Sequence, residues 1–232
     1  MRSRTRIYDN GLVHVRAYLN EAAQRALLGE IEAVIAAAPL FQPRMPKTDK
    51  PFSVRMTNCG PLGWVSDRNG NRYQMAHPET GRPWPDIPGM VLEAWKELAH
   101  YPHEPEACLV NFYEPSARMG LHQDRDEEDF AAPVVSLSLG SSCIFRFGGR
   151  TRGGPTQALE LASGDAVVLA GDARLAYHGV ARIIPGSSSL LGGNRVNLTL
   201  RRVSKPRCDA LMMPQKRDQN DDRNWNTDQP EQ

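Results

Sequence analysis

The chain has little that would hold a small secreted protein together. Its 232 residues include only four cysteines, Cys59, Cys108, Cys143 and Cys208. They are too widely spaced for a CxxC pair, so neither a structural zinc site nor a disulfide framework is expected. Long apolar runs are lacking too: the longest, Val34 to Leu40, falls far short of the roughly 20 residues that cross a bilayer, and no membrane partner is expected. The basic start, Met1 to Arg6, leads into no apolar core, unlike a secretory leader, so a cytoplasmic location is the expectation. Charge of one sign is missing as well. Lys and Arg total 28 against 27 Asp and Glu, a formal +1, so any attraction to nucleic acid has to be local. What is present is a 40% share of hydrophobic residues, enough to bury the core of one large domain or two small ones.

The pattern changes along the chain. Asn20 stands before Ala23, Leu27, Ile31, Val34, Ile35 and Ala38, a stripe at steps of three and four that predicts a capped helix ended by Pro39. A second helix is predicted over Pro88 to Ala99. Between them, Phe41 to Pro88 is rich in Pro, Gly and Asn without a sustained period, the pattern of a functional loop or lid. From Gln42 to Arg72 it carries Arg44, Lys47, Lys50, Arg55, Arg68 and Arg72 against Asp49 and Asp67, with Trp64 and Tyr73 interleaved; an ordinary solvated loop has the same composition. From Cys108 the period becomes two. Strand-like runs at Cys108–Tyr113, Val134–Leu139, Cys143–Phe147, Ala158–Leu161, Ala166–Ala170, Ala176–Ile184 and Arg195–Arg202 are separated by turn residues, which predicts a sandwich or barrel. Residues 204–232 are polar and aperiodic, the composition of a disordered tail.

Three groups of residues carry chemistry. His122-Gln-Asp124 puts an imidazole and a carboxylate on one face of an extended segment; taken alone it reads equally as a surface His beside an acidic run. His178, further along the strand region, adds a second imidazole. Two imidazoles and one carboxylate on a β scaffold form the triad that holds non-haem Fe(II) with open positions. Zinc is the rival metal, though catalytic zinc sites more often use a helical HExxH or cysteine. Third, Arg195-Val-Asn197-Leu-Thr199-Leu-Arg201 alternates without a fault. Its polar side is either a solvated face or a seat for a dicarboxylate, since Arg pairs bidentately with carboxylates.

These motifs, with His178-Gly179, resemble the signature of the AlkB family of 2-oxoglutarate- and Fe(II)-dependent dioxygenases. Asn58-Cys-Gly-Pro-Leu-Gly-Trp64, Arg82-Pro-Trp-Pro85 and Ser136-Leu-Ser-Leu-Gly140 are similar to further stretches of its bacterial DNA-repair members, and the resemblance spans about residues 10 to 203. It implies a mainly β fold with flanking helices: one domain over 1–203 made of a double-stranded β-helix (jelly-roll) core at 108–203, an N-terminal helix and a nucleotide-recognition lid at about 42–88. By the resemblance, His122, Asp124 and His178 hold Fe(II). Asn111, Tyr113, Arg195, Asn197 and Arg201 contact 2-oxoglutarate, with Arg195 on the far carboxylate and Arg201 nearer the metal. Trp64, Tyr73, Asp126, Glu127 and Arg152 face the damaged nucleic acid. The implied reaction is oxidative demethylation of 1-methyladenine or 3-methylcytosine, preferably in single-stranded DNA, with O2 as co-substrate and formaldehyde, succinate and CO2 as products; a monomer is expected. The same chemistry on RNA such as tRNA, on a protein or on a small molecule is the alternative, and a non-catalytic jelly-roll binding module is the third reading. The chain departs from the family pattern at Asn71, where an aromatic phosphate contact is missing and Arg72 is the candidate replacement. Leu169 also stands where a Trp often flanks the metal, and the tail is long.

Overall fold

In a computed structural model of the chain, which describes residues 4–206, the side-chain oxygen of Asn20 accepts the Ala23 N–H at 2.9 Å and opens α1 (Glu21–Ala37). Its buried stripe is Leu27, Ile31 and Val34; α2 (Gly89–Leu98) follows Pro88 and buries Val91, Ala94 and Trp95. Both helices lie where the spacing predicts them. The strands, in chain order, are β1 (Thr5–Ile7), β2 (Val13–Val15), β3 (Arg55–Cys59), β4 (Gly63–Asp67), β5 (Gly70–Gln74), β6 (Ala107–Tyr113) and β7 (Met119–His122). They continue with β8 (Val134–Gly140), β9 (Ser142–Gly148), β10 (Thr156–Leu161), β11 (Ala166–Leu169), β12 (His178–Ile184) and β13 (Arg195–Arg201).

The last eight strands form a jelly roll. One sheet runs β1-β2-β11-β8-β13-β6-β3 and the facing sheet runs β10-β9-β12-β7, all pairs antiparallel. The larger sheet is covered on both sides. Val110, Leu137, Leu139, Val196, Leu198 and Leu200 pack outward against the helices, while Leu109, Tyr113, Val134 and Val167 pack inward with Phe145, Phe147 and Val180 of the smaller sheet. Each fully buried Leu or Val in these layers stabilises the fold by about 1.5–3 kcal/mol. The alternation of β13 therefore has two consequences: its apolar residues anchor the helices, and its polar residues are driven between the sheets. Among the described residues no helix is long and apolar enough to cross a membrane.

The segment expected to be irregular contains three strands. β3 pairs with β6 from Arg55↔Phe112 to Cys59↔Cys108, and β4 and β5 form a hairpin with Trp64 directly opposite Tyr73. β3 shows no alternation because both of its faces are covered: Met56 joins the inner core and Cys59 the outer one. Its polar residues bond to main chain, Thr57 Oγ1 to Ala38 O at 2.8 Å and Asn58 to both backbone groups of Trp64. The short β1, β2 and β7 also lie outside the predicted runs. From residue 207 onward the expected polar tail falls outside the described residues.

Gly63, just before Trp64, is packed against the Trp84 indole; a Cβ there would lie 2.4 Å from Trp84 Cε2 and 2.8 Å from Asn58 Cβ. Gly63→Ala is expected to destabilise the protein by about 1–3 kcal/mol through overpacking, measured by equilibrium denaturation.

Candidate active site

His122 closes β7 and His178 opens β12, and the two are direct partners in the sheet register. Gly179 allows this approach, because a Cβ there would sit 2.6 Å from Met119 O and 2.7 Å from Gly120 O. The imidazole centroids are 4.5 Å apart. Asp124, two residues beyond β7, places Oδ1 3.7 Å from His122 Nε2 and Oδ2 3.8 Å from His178 Nε2, and the ligand atoms of all three residues lie within 4.8 Å of one another. The Nδ1 of His122 meets Gly120 O at 2.9 Å, and that of His178 meets Ala176 O at 3.0 Å. A carbonyl only accepts, so each Nδ1 carries the proton and each Nε2 keeps its lone pair toward Asp124. Asp124 Oδ2 is buried without a hydrogen-bond partner. An orphaned carboxylate oxygen beside two imidazole lone pairs fits a divalent cation. The His122 side chain, 41% exposed, leaves one side of the group open.

Burial pushes the Asp124 carboxyl up, but Arg201, His178, His122 and Arg174 pull it well below the usual carboxylate range. It is therefore ionised at any working pH. Burial, with His122 acting in the same direction, lowers His178 to about 4 against the opposing pull of Asp124, so its ring is neutral and able to ligate near pH 7.

The polar face of β13 lines the adjoining cavity of about 360 Å³, with Asn111, Tyr113 and Ser136. Arg195 is 1% exposed and bonds only to neutral groups: Nη2 donates to Ser138 Oγ at 2.7 Å and Nη1 to Ser141 O at 3.1 Å. Its Nε has no partner, and no carboxylate pairs with it among the described residues. A buried cation without a counter-charge is costly, so this end of the cavity calls for an anion. Arg201 stands at the triad end, with Nη2 donating to Asp124 Oδ1 at 2.9 Å while Nε and Nη1 make no hydrogen bond. Asn111 Oδ1 is likewise unpartnered, and Asn197 Nδ2 is tied to Ser136 Oγ at 2.6 Å. Burial raises the Tyr113 phenol far above its ordinary value, so it acts as a neutral donor. The Ser136 and Ser138 partners were readable in Val134-Val-Ser-Leu-Ser-Leu139, which alternates as β13 does.

At the mouth, Trp64 is half-buried, edge-on to Phe52 at 6.2 Å, and its Nε1 donates to Asp126 Oδ2 at 2.8 Å. Asp126 and Arg152 are exposed at the cavity rim, where Asn71 also lies. Glu127 turns inward to Arg174 and Arg201 and receives the Tyr73 hydroxyl. Arg72 is bound to Asp67 at 2.9 and 3.0 Å, which commits it within the hairpin. Leu169 lies in the cavity wall. Arg174, 2% exposed, was not singled out by sequence; it sits in a short 3-10 turn, Gly171–Leu175, where no period marks it.

A jelly roll with two imidazoles and a carboxylate beside a cavity that needs an anion has the architecture of a 2-oxoglutarate-dependent non-haem iron oxygenase. Residues 11–201 match the model of the 2OG-Fe(II) oxygenase superfamily, and the chain belongs to that family. It is 56% identical over 188 residues to the alpha-ketoglutarate-dependent dioxygenase AlkB homolog of Caulobacter vibrioides, covering 80% of this chain and 84% of that one. To AlkB of Escherichia coli it is 41% identical over 199 residues, covering 84% and 91%. The solved structure of OsALKBH1 superposes with a TM-score of 0.72 at 27% identity, covering 85% of this chain and 99% of that one. The chain is thus an Fe(II)- and 2-oxoglutarate-dependent dioxygenase, with O2 as the second co-substrate.

The lowered value of His178 has a pH consequence. An unfolded histidine takes up its proton near 6.5, whereas the folded ring resists protonation down to about 4. Protonation between those values favours the unfolded chain. The metal-free protein is therefore expected to lose stability as pH falls from 6.5 toward 4, and His178→Asn should reduce that loss, read as the pH dependence of Tm.

Proposed function

We propose that the protein demethylates N-alkylated bases, 1-methyladenine and 3-methylcytosine, in single-stranded or base-flipped DNA, acting as a monomer, with His122, Asp124 and His178 holding the iron. The observation that carries the substrate reading is the Trp64–Asp126 pair at the cavity mouth. A methylated adenine or cytosine is cationic, an indole face attracts cations, and Asp126 adds a counter-charge and an acceptor for the exocyclic amine. Arg152 at the rim and Lys47 and Lys50 on the preceding loop supply positive charge for the phosphate backbone. The base has to leave a duplex stack to reach the cavity, which favours single strands.

The division of labour follows from the cavity. Arg195, with Tyr113 opposite it in the sheet, neutralises the far carboxylate of 2-oxoglutarate, Asn111 stands midway, and Arg201 orients the end nearer the triad. The bound iron supplies the O2 activation that couples oxidative decarboxylation of 2-oxoglutarate to hydroxylation of the N-methyl carbon. The hydroxymethyl adduct then releases formaldehyde and the restored base.

RNA is the second reading. The tRNA demethylase abh1 of Schizosaccharomyces pombe is 35% identical over 176 residues, 68% of this chain and 58% of that protein.

Coupled release of formaldehyde and succinate from a single-stranded oligonucleotide carrying 1-methyladenine or 3-methylcytosine tests the proposal. Succinate without formaldehyde on DNA, with both released on methylated RNA, would transfer it to the second reading. Asp124→Ala is expected to abolish turnover in a protein that still folds but melts at a lower temperature, because Arg201 loses a buried counter-charge; retained activity would overturn the ligand assignment. Arg201→Ala is expected to raise the KM for 2-oxoglutarate roughly 10- to 100-fold, as the loss of a charge-assisted hydrogen bond predicts, with a much smaller change for the oligonucleotide. Trp64→Ala should show the opposite split, weakening oligonucleotide binding by about 5- to 100-fold.

A further inference from the structure

Once the triad and the two cavity arginines have roles, one buried carboxylate in the cavity wall remains. Glu127 lies three residues after Asp124, and its side chain is 2% exposed. Oε2 accepts from Arg174 Nη2 at 3.1 Å; Oε1 lies 3.4 Å from Arg201 Nε and accepts the Tyr73 hydroxyl. Both arginines also hold Asp124, by different atoms. Arg201 Nη2 donates to its Oδ1 at 2.9 Å, and Arg174 Nη1 donates to its backbone carbonyl at 2.7 Å. A third bond, Arg174 Nε to Ala132 O at 2.8 Å, fixes that guanidinium in place. The side chain and the main chain of Asp124 are thus each gripped by a guanidinium, and one carboxylate orients both.

Two carboxylates against two guanidinium groups leave the set neutral, so it can remain buried without a ligand. Its only member from outside the jelly roll is Tyr73, which sits on β5 directly opposite Trp64. A load on the hairpin therefore reaches Glu127 through a hydroxyl–carboxylate bond, one of the stronger hydrogen-bond types. From Glu127 it reaches Arg201 through the Nε contact, and the Nη1 of that arginine is unspent.

We propose that Glu127 is a positioning residue that couples the Trp64–Tyr73 hairpin to Asp124 and Arg201, so that nucleic acid on the hairpin and 2-oxoglutarate in the cavity tighten each other's binding. The nucleic-acid half rests on the reading of the hairpin as the base-contacting surface. Coupling of this kind is reciprocal: the factor by which one ligand tightens the second equals the factor in the other direction.

The test uses the full chain loaded with Co(II) in place of Fe(II). Visible absorption of Co(II) reports the metal environment and the Kd for 2-oxoglutarate, and fluorescence anisotropy reports binding of a 1-methyladenine oligonucleotide. In the wild type, the oligonucleotide is expected to tighten 2-oxoglutarate binding about fivefold or more, with the reciprocal gain of the same size. Tyr73→Phe removes one hydroxyl and nothing else. It should weaken 2-oxoglutarate binding about threefold without any oligonucleotide and bring the mutual tightening below about twofold. Glu127→Gln should do the same and also shift the Co(II) bands; if that variant does not fold, Tyr73→Phe decides. Wild-type affinity, bands and mutual tightening in Tyr73→Phe would overturn the proposal. A wild-type protein that binds no methylated oligonucleotide would instead remove the base-contacting reading. The oligonucleotide-free affinities and bands would then judge the link from hairpin to Asp124, unchanged values overturning it and weakened ones upholding it.

Discussion

The site depends on one carboxylate that has to be buried, ionised and still unsatisfied. Asp124 meets all three requirements because Arg201 takes Oδ1 and leaves Oδ2 without a partner. Without the guanidinium, burial would push the group toward its neutral form against only the weaker pull of His178, His122 and Arg174. With a second cation on Oδ2 there would be nothing left to offer a metal. The balance also sets the histidines: a lowered His178 keeps its lone pair, and both rings are fixed by carbonyls two residues back in the chain. Asp124 and His178 thus hold their reactive forms over the same pH range, one kept ionised by arginine and the other kept neutral by burial.

A jelly roll suits this requirement because it brings residues distant in sequence into fixed register. His122 and His178 face each other as sheet partners, and β13 sends Arg195 and Arg201 to opposite ends of a single cavity. The positions are rigid because the larger sheet is packed on both faces, with α1 and α2 pressing on the apolar side of β13. Val196, Leu198 and Leu200 thereby aim the arginines: a one-residue slip in β13 would exchange the two faces and place charge under the helices.

Much of this was legible in the sequence because alternation and helical spacing are strong signals wherever one face is apolar and the other polar. β13 is such a strand, and α1 with its Asn20 cap is such a helix. β3 was not legible, since Met56, Thr57, Asn58 and Cys59 are all buried and the two polar residues among them are satisfied by main chain. The β4–β5 hairpin was hidden by its charge, which suits a solvated loop equally well. Arg174 and the inward turn of Glu127 were hidden for a different reason. A buried ion-pair set is assembled from segments far apart in the chain, here 47 residues between its two closest partners, and no local period records it. The same limit applied to Arg72, whose availability depended on the Asp67 side chain across the turn.

The chain's departures from the family pattern fall on the recognition side. Asn71 lies at the rim, and Arg72 is spent on Asp67. Leu169 is the one departure inside the cavity wall, where it fills less of the cavity than a Trp would. The metal and 2-oxoglutarate ends leave far less freedom: Arg195 is held by Ser138 and Ser141, Asn197 by Ser136 and Arg201 by Asp124, so removing a side-chain partner strands a buried polar group. Change is therefore cheapest at the exposed hairpin positions, such as Arg68, Asn69 and Asn71, which have water as an alternative. Tyr73 breaks that separation, since its ring belongs to the hairpin and its hydroxyl to the buried set. Selection on the substrate can alter the rest of that surface freely, but it can alter Tyr73 only through the residues that position Asp124.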